Sequence, residues 1–132
     1  MLIFPLKKEW YEKIKSGEKT IEYREVKPYW TKRLEKLWKH YTNDHNFRKT
    51  WYEFTGWVQP KCKLRLGYTN KYMTANITKI EILNGKDTDL HIDKPVYAIH
   101  LANVIEIIFK GEIITRNESS SGETGRRRSI TR

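Results

Sequence analysis

The chain has little of several residue types on which particular protein classes depend. Cys62 is the single cysteine among 132 residues, which excludes an intramolecular disulfide and a zinc site built from several cysteines. Acidic side chains number 16 against 26 lysines and arginines, so the formal net charge is +10. A basic excess of this size favours a polyanionic partner, and it fits nucleic acid, nucleotides and anionic membranes equally well.

Long hydrophobic runs are also missing. The longest apolar stretch, residues 96–109, contains a histidine, an asparagine and a glutamate, so it is too short and too polar to span a bilayer. The apolar residues 1–4 are soon followed by the charged residues 7–9, so we expect no hydrophobic region of a secretory signal. We therefore expect a cytoplasmic protein with no membrane partner.

The composition divides the chain near residue 115. Residues 1–115 hold nearly all of the apolar side chains, and this length supports one domain with a modest core. Residues 116–132 are rich in serine, glycine and arginine, with three arginines in sequence at 126–128. This composition predicts a disordered basic tail, which either contacts phosphates or is simply solvated.

Hydrophobic periodicity predicts alternating strands and helices in the first half of the domain. A strand over 2–6 precedes a helix over 8–16, and a strand over 19–25 precedes a helix over 28–41. The second helix begins at Pro28 and repeats apolar residues at amphipathic spacing.

Aromatic residues are concentrated before Pro60, where all five tryptophans lie. Residues 42–60 are ambiguous, and we treat about 28–58 as a helical, aromatic-rich segment of the domain. Its rings either pack onto the domain or stack on bases, and packing is the favoured interpretation.

The second half of the domain has the period of β-strands. Apolar residues alternate over 62–68, 73–82 and 97–109, and a final strand over 112–115 follows a turn at Lys110-Gly111. The alternation changes parity near Thr78, which predicts a bulge or a bend. We expect an α+β fold in which a small bent sheet or closed barrel carries flanking helices.

The sequence Gly-Glu-Lys-Thr-Ile-Glu-Tyr-Arg at residues 17–24 is the most informative stretch. Its glycine ends a helix, Lys19 begins a strand, and Glu22 and Arg24 share one face of that strand. Ile21 and Tyr23 share the opposite face, which we expect to be the buried one. Glu22 and Arg24 then either form a surface ion pair or jointly line a cavity.

The spacing Gly17-x-Lys19-x-x-Glu22-x-Arg24 resembles the G-x-K-x-x-E-x-R signature of the ASCH domain family, which belongs to the PUA-like superfamily. The resemblance extends to the preceding strand and helix and to the later segments 64–68 and 97–101, and so covers most of residues 1–109. It implies a small PUA-like β-barrel with flanking helices, a cleft lined by the motif residues, and an association with RNA.

The same resemblance implies two possible enzymatic activities. Some small ASCH relatives are amidohydrolases that remove the acyl group from N4-acetylcytidine, and a ribonuclease activity is also known in the family. The amidohydrolases have a threonine where this chain has Glu22, which departs from their pattern. If the chain is an enzyme, Lys19 and Glu22 are the expected catalytic residues.

The candidate ligand-binding residues are the motif side chains and two residues of a later strand. Lys19, Glu22 and Arg24 line the expected cleft, Arg65 offers a further phosphate contact, and Tyr68 could stack a base at the rim. Whether Lys19 serves as a base, a nucleophile or a phosphate anchor stays open. The histidines lack metal-ligand spacing, so we expect no metal and no cofactor.

Three hypotheses about function follow. The first is a domain that binds RNA or a modified nucleotide, and the second is a hydrolase acting on a nucleoside or on RNA. The third is a protein-interaction domain that presents the aromatic side chains of helix 28–41 to a partner. Binding is favoured slightly over catalysis because no unambiguous pair of nucleophile and base is visible. The sequence leaves the oligomeric state open.

Overall fold

The computed structural model describes residues 1–42, 51–54 and 58–108. Six strands and two helices follow one another in the order β1 (Leu2–Leu6), α1 (Lys8–Lys15), β2 (Ile21–Glu25), α2 (Pro28–Tyr41), β3 (Trp51–Glu53), β4 (Lys61–Leu66), β5 (Tyr72–Asn84) and β6 (Pro95–Ile107). A short 3₁₀ helix, Gly85–Asp87, follows β5. None of the helices in these ranges is long and apolar enough to cross a membrane.

Most of the predicted elements are confirmed. Both helices and the strands β1, β2, β4, β5 and β6 lie within a few residues of their predicted bounds, and Pro28 is the first residue of α2. The prediction of a helical segment over about 28–58 is wrong at residues 51–53, because these pair with β5 as a strand. Within the ambiguous stretch 42–60, residues 51–53 form β3. The predicted turn at 110–111, the strand 112–115 and the tail 116–132 lie outside the described residues.

All six strands belong to one mixed sheet. Five strands follow the order β1-β4-β5-β6-β2, and β3 pairs with the second half of β5. β1 runs parallel to β4, whereas the other pairs are antiparallel. The sheet curls so that its two edge strands face each other, because Arg24 of β2 reaches the backbone of Pro5 on β1. The structure therefore has an α+β, barrel-like fold.

Two irregularities bend the long pair of β5 and β6. The register shifts between Ile77 and Lys79, which confirms the bulge predicted from the change of parity. A second shift lies between Thr74 and Asn76, opposite Asn103, whose φ of 53° is in the left-handed region. These bulges increase the local twist and let the strands curl around the core.

The core lies on the inner face of the curled sheet. The fully buried side chains there include Phe4, Leu64, Met73, Ile80 and Ile99. Both helices cover this face with their apolar stripes. The buried contacts are Tyr11 and Ile14 from α1, and Leu34 and Trp38 from α2.

The apolar side chains of α2 are used within the domain. Leu34 and Trp38 are buried, and Trp30 packs against the core and stacks on Phe4 with ring centroids 5.1 Å apart. These side chains therefore stabilise the fold, whereas Tyr29 and Tyr41 of the same helix are 55% and 36% exposed.

Candidate functional site

An open cleft of about 590 Å³ lies at the seam between the two edge strands. One wall contains Pro5 and Leu6 of β1, and the opposite wall contains residues 22–25 of β2. Trp10 of α1 and Asp89, from the loop before β6, are also part of the lining. The volume falls within the range of about 300 to 1,000 Å³ that is typical of small-molecule sites.

The end of α1 places Lys19 in this cleft. Gly17 follows the helix with a φ of +86°, a conformation that glycine adopts without steric cost. The chain then reverses, and the backbone N–H of Lys19 donates to the carbonyl oxygen of Lys13 at 3.0 Å. Lys19 therefore lies just before β2, and its side chain is 9% exposed.

The two faces of β2 are the reverse of what its alternation predicts. Glu22 is the buried residue of this strand, with 6% exposure, whereas Ile21 and Tyr23 are only partly buried. Glu22 pairs in register with Ile99, which lies in the core. The charged face can point inward because the carboxylate of Glu22 has two cationic partners there.

Glu22 is shared between Arg24 and Lys19. The Nε and Nη2 atoms of Arg24 donate to Glu22 Oε2 at 3.0 and 2.6 Å. The Nζ of Lys19 lies 3.6 Å from the other carboxylate oxygen. Arg24 Nη2 also donates to the carbonyl oxygen of Pro5 at 2.9 Å. This buried network fixes the positions of all three motif side chains.

Asp89 is a site residue that sequence reasoning missed. Its carboxylate accepts a hydrogen bond from the ammonium of Lys19, 70 positions away in sequence, and it is 35% exposed at the cleft. The loop that carries it is held by Gly85, whose carbonyl oxygen accepts from the Thr88 hydroxyl at 2.8 Å. No pattern around Asp89 distinguishes it from the other loop carboxylates, so only the tertiary contact identifies it.

Aromatic rings lie beside the two cations of the motif, Lys19 and Arg24. The Nζ of Lys19 lies 5.3 Å from the ring centre of Trp10 and 4.9 Å from that of Tyr23. Arg24 lies over Phe4 and Trp30, at 5.3 and 5.1 Å. Burial, followed by the charges of Asp89 and Glu81, raises the pKa of Tyr23. Tyr23 is therefore a neutral ring and a hydroxyl donor in the cleft wall.

The lining of the cleft is not a basic patch. Its charged residues are the cations Lys7, Lys19 and Arg24 and the anions Glu9, Glu22, Glu25 and Asp89. Acidic groups therefore outnumber basic ones by one in a protein whose net charge is +10. Such a lining offers fixed donors and fixed acceptors side by side, which suits a neutral polar ligand better than a phosphate.

Arg65 and Tyr68 do not join the motif residues in the cleft. Arg65 lies on β4 in register with Pro5, on the outer face of the sheet. β4 ends at Leu66, and Tyr68 lies in the turn that follows, with 87% of its surface exposed. Only Lys19, Glu22 and Arg24 of the five predicted ligand-binding residues line the cleft.

His100 is explained by a structural partner. Its Nε2 lies 2.6 Å from an oxygen of Glu81 on the adjacent strand, and this hydrogen bond is the main cause of a lowered pKa for the Glu81 carboxyl. Among the described residues, no group of three or more histidines, cysteines, aspartates and glutamates is placed to hold a metal ion.

In comparisons with known proteins, no family model, curated protein or solved structure matches the chain.

Proposed function

We propose that this chain binds a single nucleotide, free or within RNA and modified or not, with its base in the cleft. The contact that carries the proposal is Lys19, held between Asp89 and Glu22 beside the rings of Trp10 and Tyr23. The motif spacing supports membership of the ASCH family, and the curled sheet with two helices is compatible with a PUA-like barrel.

The chemistry of the cleft wall favours a base. An exocyclic amino group can donate to the accessible carboxylate of Asp89, and a ring carbonyl or nitrogen can accept from Lys19. Trp10 offers a flat apolar surface beside them. Cytosine, adenine and guanine have such an amino group, whereas uracil lacks one. We therefore expect the cleft to discriminate against uridine.

The charges of the lining favour an orientation with the phosphate outside. The acidic excess in the cleft opposes a phosphate deep inside, whereas Lys7 is exposed and lies at the start of α1. A nucleotide whose base enters the cleft would leave its phosphate near this lysine and in solvent. The sugar–phosphate backbone of an RNA strand could then continue on both sides.

Calorimetric titration with the four ribonucleoside monophosphates tests this proposal. We expect CMP, AMP or GMP to bind and UMP to bind at least about tenfold more weakly, since an unpaired buried polar group costs about 1 to 3 kcal/mol. Lys19→Gln should abolish measurable binding. Lys13→Gln is the matched control, because Lys13 lies at a similar distance over Trp10, 5.2 Å, but does not line the cleft.

Two results would contradict the proposal. One is the absence of binding by any of the four nucleotides to a folded protein. The other is an equal loss of binding in the Lys13 and Lys19 variants, which would mean that only net charge matters. Asp89→Asn further distinguishes a specific contact in the cleft from an effect of net charge. It keeps the shape of the side chain and reduces its ability to accept a hydrogen bond from an amino group.

A nucleoside amidohydrolase is the second candidate, and the pairing of Lys19 with Asp89 favours it. Asp89 is the more exposed carboxylate of the two that contact Lys19, so it could take a proton from a water that attacks the acyl carbon. Lys19 would donate a hydrogen bond to the carbonyl oxygen. Asp89 would then pass the proton to N4 as the C–N bond breaks, releasing cytidine and acetate. Release of cytidine from N4-acetylcytidine, followed by chromatography, tests this reaction. Turnover that persists unchanged in Asp89→Asn would rule out this role for Asp89.

A further inference from the structure

The outer face of β4 is a row of cations outside the cleft. Lys61, Lys63 and Arg65 alternate with Cys62 and Leu64, which are fully buried, so the three basic side chains point away from the core. We call these three residues the basic sheet face.

The neighbours of the basic sheet face carry no charge. The residues in register with it are Ile3 and Pro5 on β1 and Tyr72, Thr74 and Asn76 on β5. Beyond β5 the next residues in register are Ala102, Ile105 and Ile107. Ile3 and Ile105 are 37% and 58% exposed, so the face is open to solvent among the described residues.

The cations of this face differ from those of the cleft in their partners. Lys19 and Arg24 are bound to carboxylates, whereas in the described part of the chain no carboxylate lies within ion-pair distance of Lys61, Lys63 or Arg65. The Nζ of Lys63 lies 4.2 Å from the ring centre of Tyr72, a neutral partner. These positive charges are thus available to an anionic partner.

The basic sheet face is continuous with the mouth of the cleft. Pro5, which lines the cleft, is in register with Arg65, and neighbouring strands are about 4.8 Å apart. Leu6 also lines the cleft, and its carbonyl oxygen accepts from the N–H of Gly67 at 2.8 Å. Tyr68 follows this glycine. Its highly exposed ring therefore belongs to the turn just beyond the end of β4, next to the strand that lines the cleft.

We propose that the basic sheet face binds the phosphates of a single-stranded RNA whose neighbouring nucleotide enters the cleft. The inference rests on the proposed function of the cleft and extends it from a nucleotide to a polymer. Successive cations on β4 are about 6.6 Å apart, comparable to the distance between successive phosphates of a single strand. The ring of Tyr68 stacks one base between the two sites, which requires an unpaired base and so excludes a duplex.

Binding of an unstructured oligoribonucleotide of about 12 nucleotides tests the inference alongside binding of the monophosphate that the cleft prefers. The test variant combines Lys61→Gln, Lys63→Gln and Arg65→Gln. Its matched control combines Lys32→Gln, Lys36→Gln and Lys86→Gln, which remove the same charge at exposed positions outside the cleft. Thermal unfolding of both variants checks that they fold.

If the basic sheet face binds phosphates, the two binding measurements should respond differently to the test variant. In the test variant the oligonucleotide should bind about 10- to 100-fold more weakly, and the slope of log affinity against log salt should fall by about 2, because each phosphate contact on a single strand contributes about 0.7. Monophosphate binding should stay unchanged in the same variant. Tyr68→Ala should weaken the oligonucleotide about tenfold without changing the salt slope.

Other outcomes overturn the inference and leave the cleft proposal standing. One is an oligonucleotide that binds no more tightly than the monophosphate. A second is an equal loss of RNA affinity in the test and control variants. A third is a test variant that loses binding to phosphatidylserine vesicles while keeping RNA binding, which would make the face a membrane contact. Failure of the monophosphate to bind, by contrast, would overturn the cleft proposal.

Discussion

Arg24 joins the two edges of the sheet through the backbone of Pro5. Its Nη2 donates to the Pro5 carbonyl oxygen at 2.9 Å and to Glu22 at 2.6 Å. β1 and β2 are not neighbours in the sheet, so a side chain spans the seam where backbone hydrogen bonds would close a barrel. The cleft exists because this seam stays open, and the motif arginine sets its width.

Arg24→Met should destabilise the protein by about 2 kcal/mol, because it leaves a buried carboxylate with Lys19 as its remaining cationic partner and breaks the bridge to Pro5. Urea denaturation followed by circular dichroism measures the change. The double variant with Glu22→Met should lose less than the sum of the two single variants. Strict additivity would show that the pair contributes no coupling.

Gly85→Ala should destabilise the protein by about 1 to 3 kcal/mol and weaken nucleotide binding. An added Cβ would lie 2.6 Å from a methyl carbon of Val96 and 2.8 Å from the carbonyl oxygen of Ile92, so the loop that carries Asp89 must shift. Gly67→Ala is the control. Its Cβ meets nothing within 4 Å, and its φ of +57° predicts only a conformational cost of about 1 kcal/mol. Equal losses of nucleotide binding in Gly85→Ala and Gly67→Ala would contradict the expectation that the position of the Asp89 loop controls binding.

Acid should destabilise the protein partly through Glu81. The hydrogen bond with His100 holds the pKa of this carboxyl below its ordinary value of 4.5, so the unfolded chain binds its proton more tightly. The stabilisation is present above about pH 4.5 and is lost as the pH falls through the pKa of the folded state. Glu81→Gln should reduce this acid-dependent loss of unfolding free energy, which urea titrations at several pH values measure. Glu12→Gln, at an exposed position of α1, should leave it unchanged.

The thiol of Cys62 should be inert in the folded protein. It is fully buried, and burial, with a smaller contribution from Glu22, raises its pKa from 9.0 to about 12. A disulfide reagent such as DTNB should therefore label the native chain only as fast as the chain unfolds, and label it at once in concentrated urea. Rapid labelling without urea would show that β4 opens locally.

The same thiol predicts a loss of stability in alkali. Its raised pKa means that the unfolded chain ionises first, so the stabilisation from a neutral thiol is complete below pH 9 and declines as the pH rises toward 12. Cys62→Ala should reduce this decline, even though it costs packing at every pH. Unfolding free energies at pH 8 and at about pH 10 measure the difference. If the unfolding free energy of the variant falls as steeply between these two pH values, the decline comes from the tyrosines and not from Cys62.

The sequence pattern predicts the parts of the fold that depend on neighbouring residues. Amphipathic spacing and Pro28 locate α2, and the change of parity near Thr78 locates the bulge, because both signals arise within one element. The same reasoning misassigns the faces of β2. Alternation places Ile21 with Tyr23 inside, yet an ion-pair network allows Glu22 to take the buried side.

The amino-acid sequence by itself determined both helices, every described strand except β3, and the three motif residues that line the cleft. Only the tertiary structure decided that Asp89 contacts Lys19 across 70 positions and that Arg65 lies outside the cleft. The physical reason is that spacing along a chain fixes which residues share a face of one element. The pairing of distant strands in the curled sheet, which spacing along the chain does not specify, fixes which faces and loops meet.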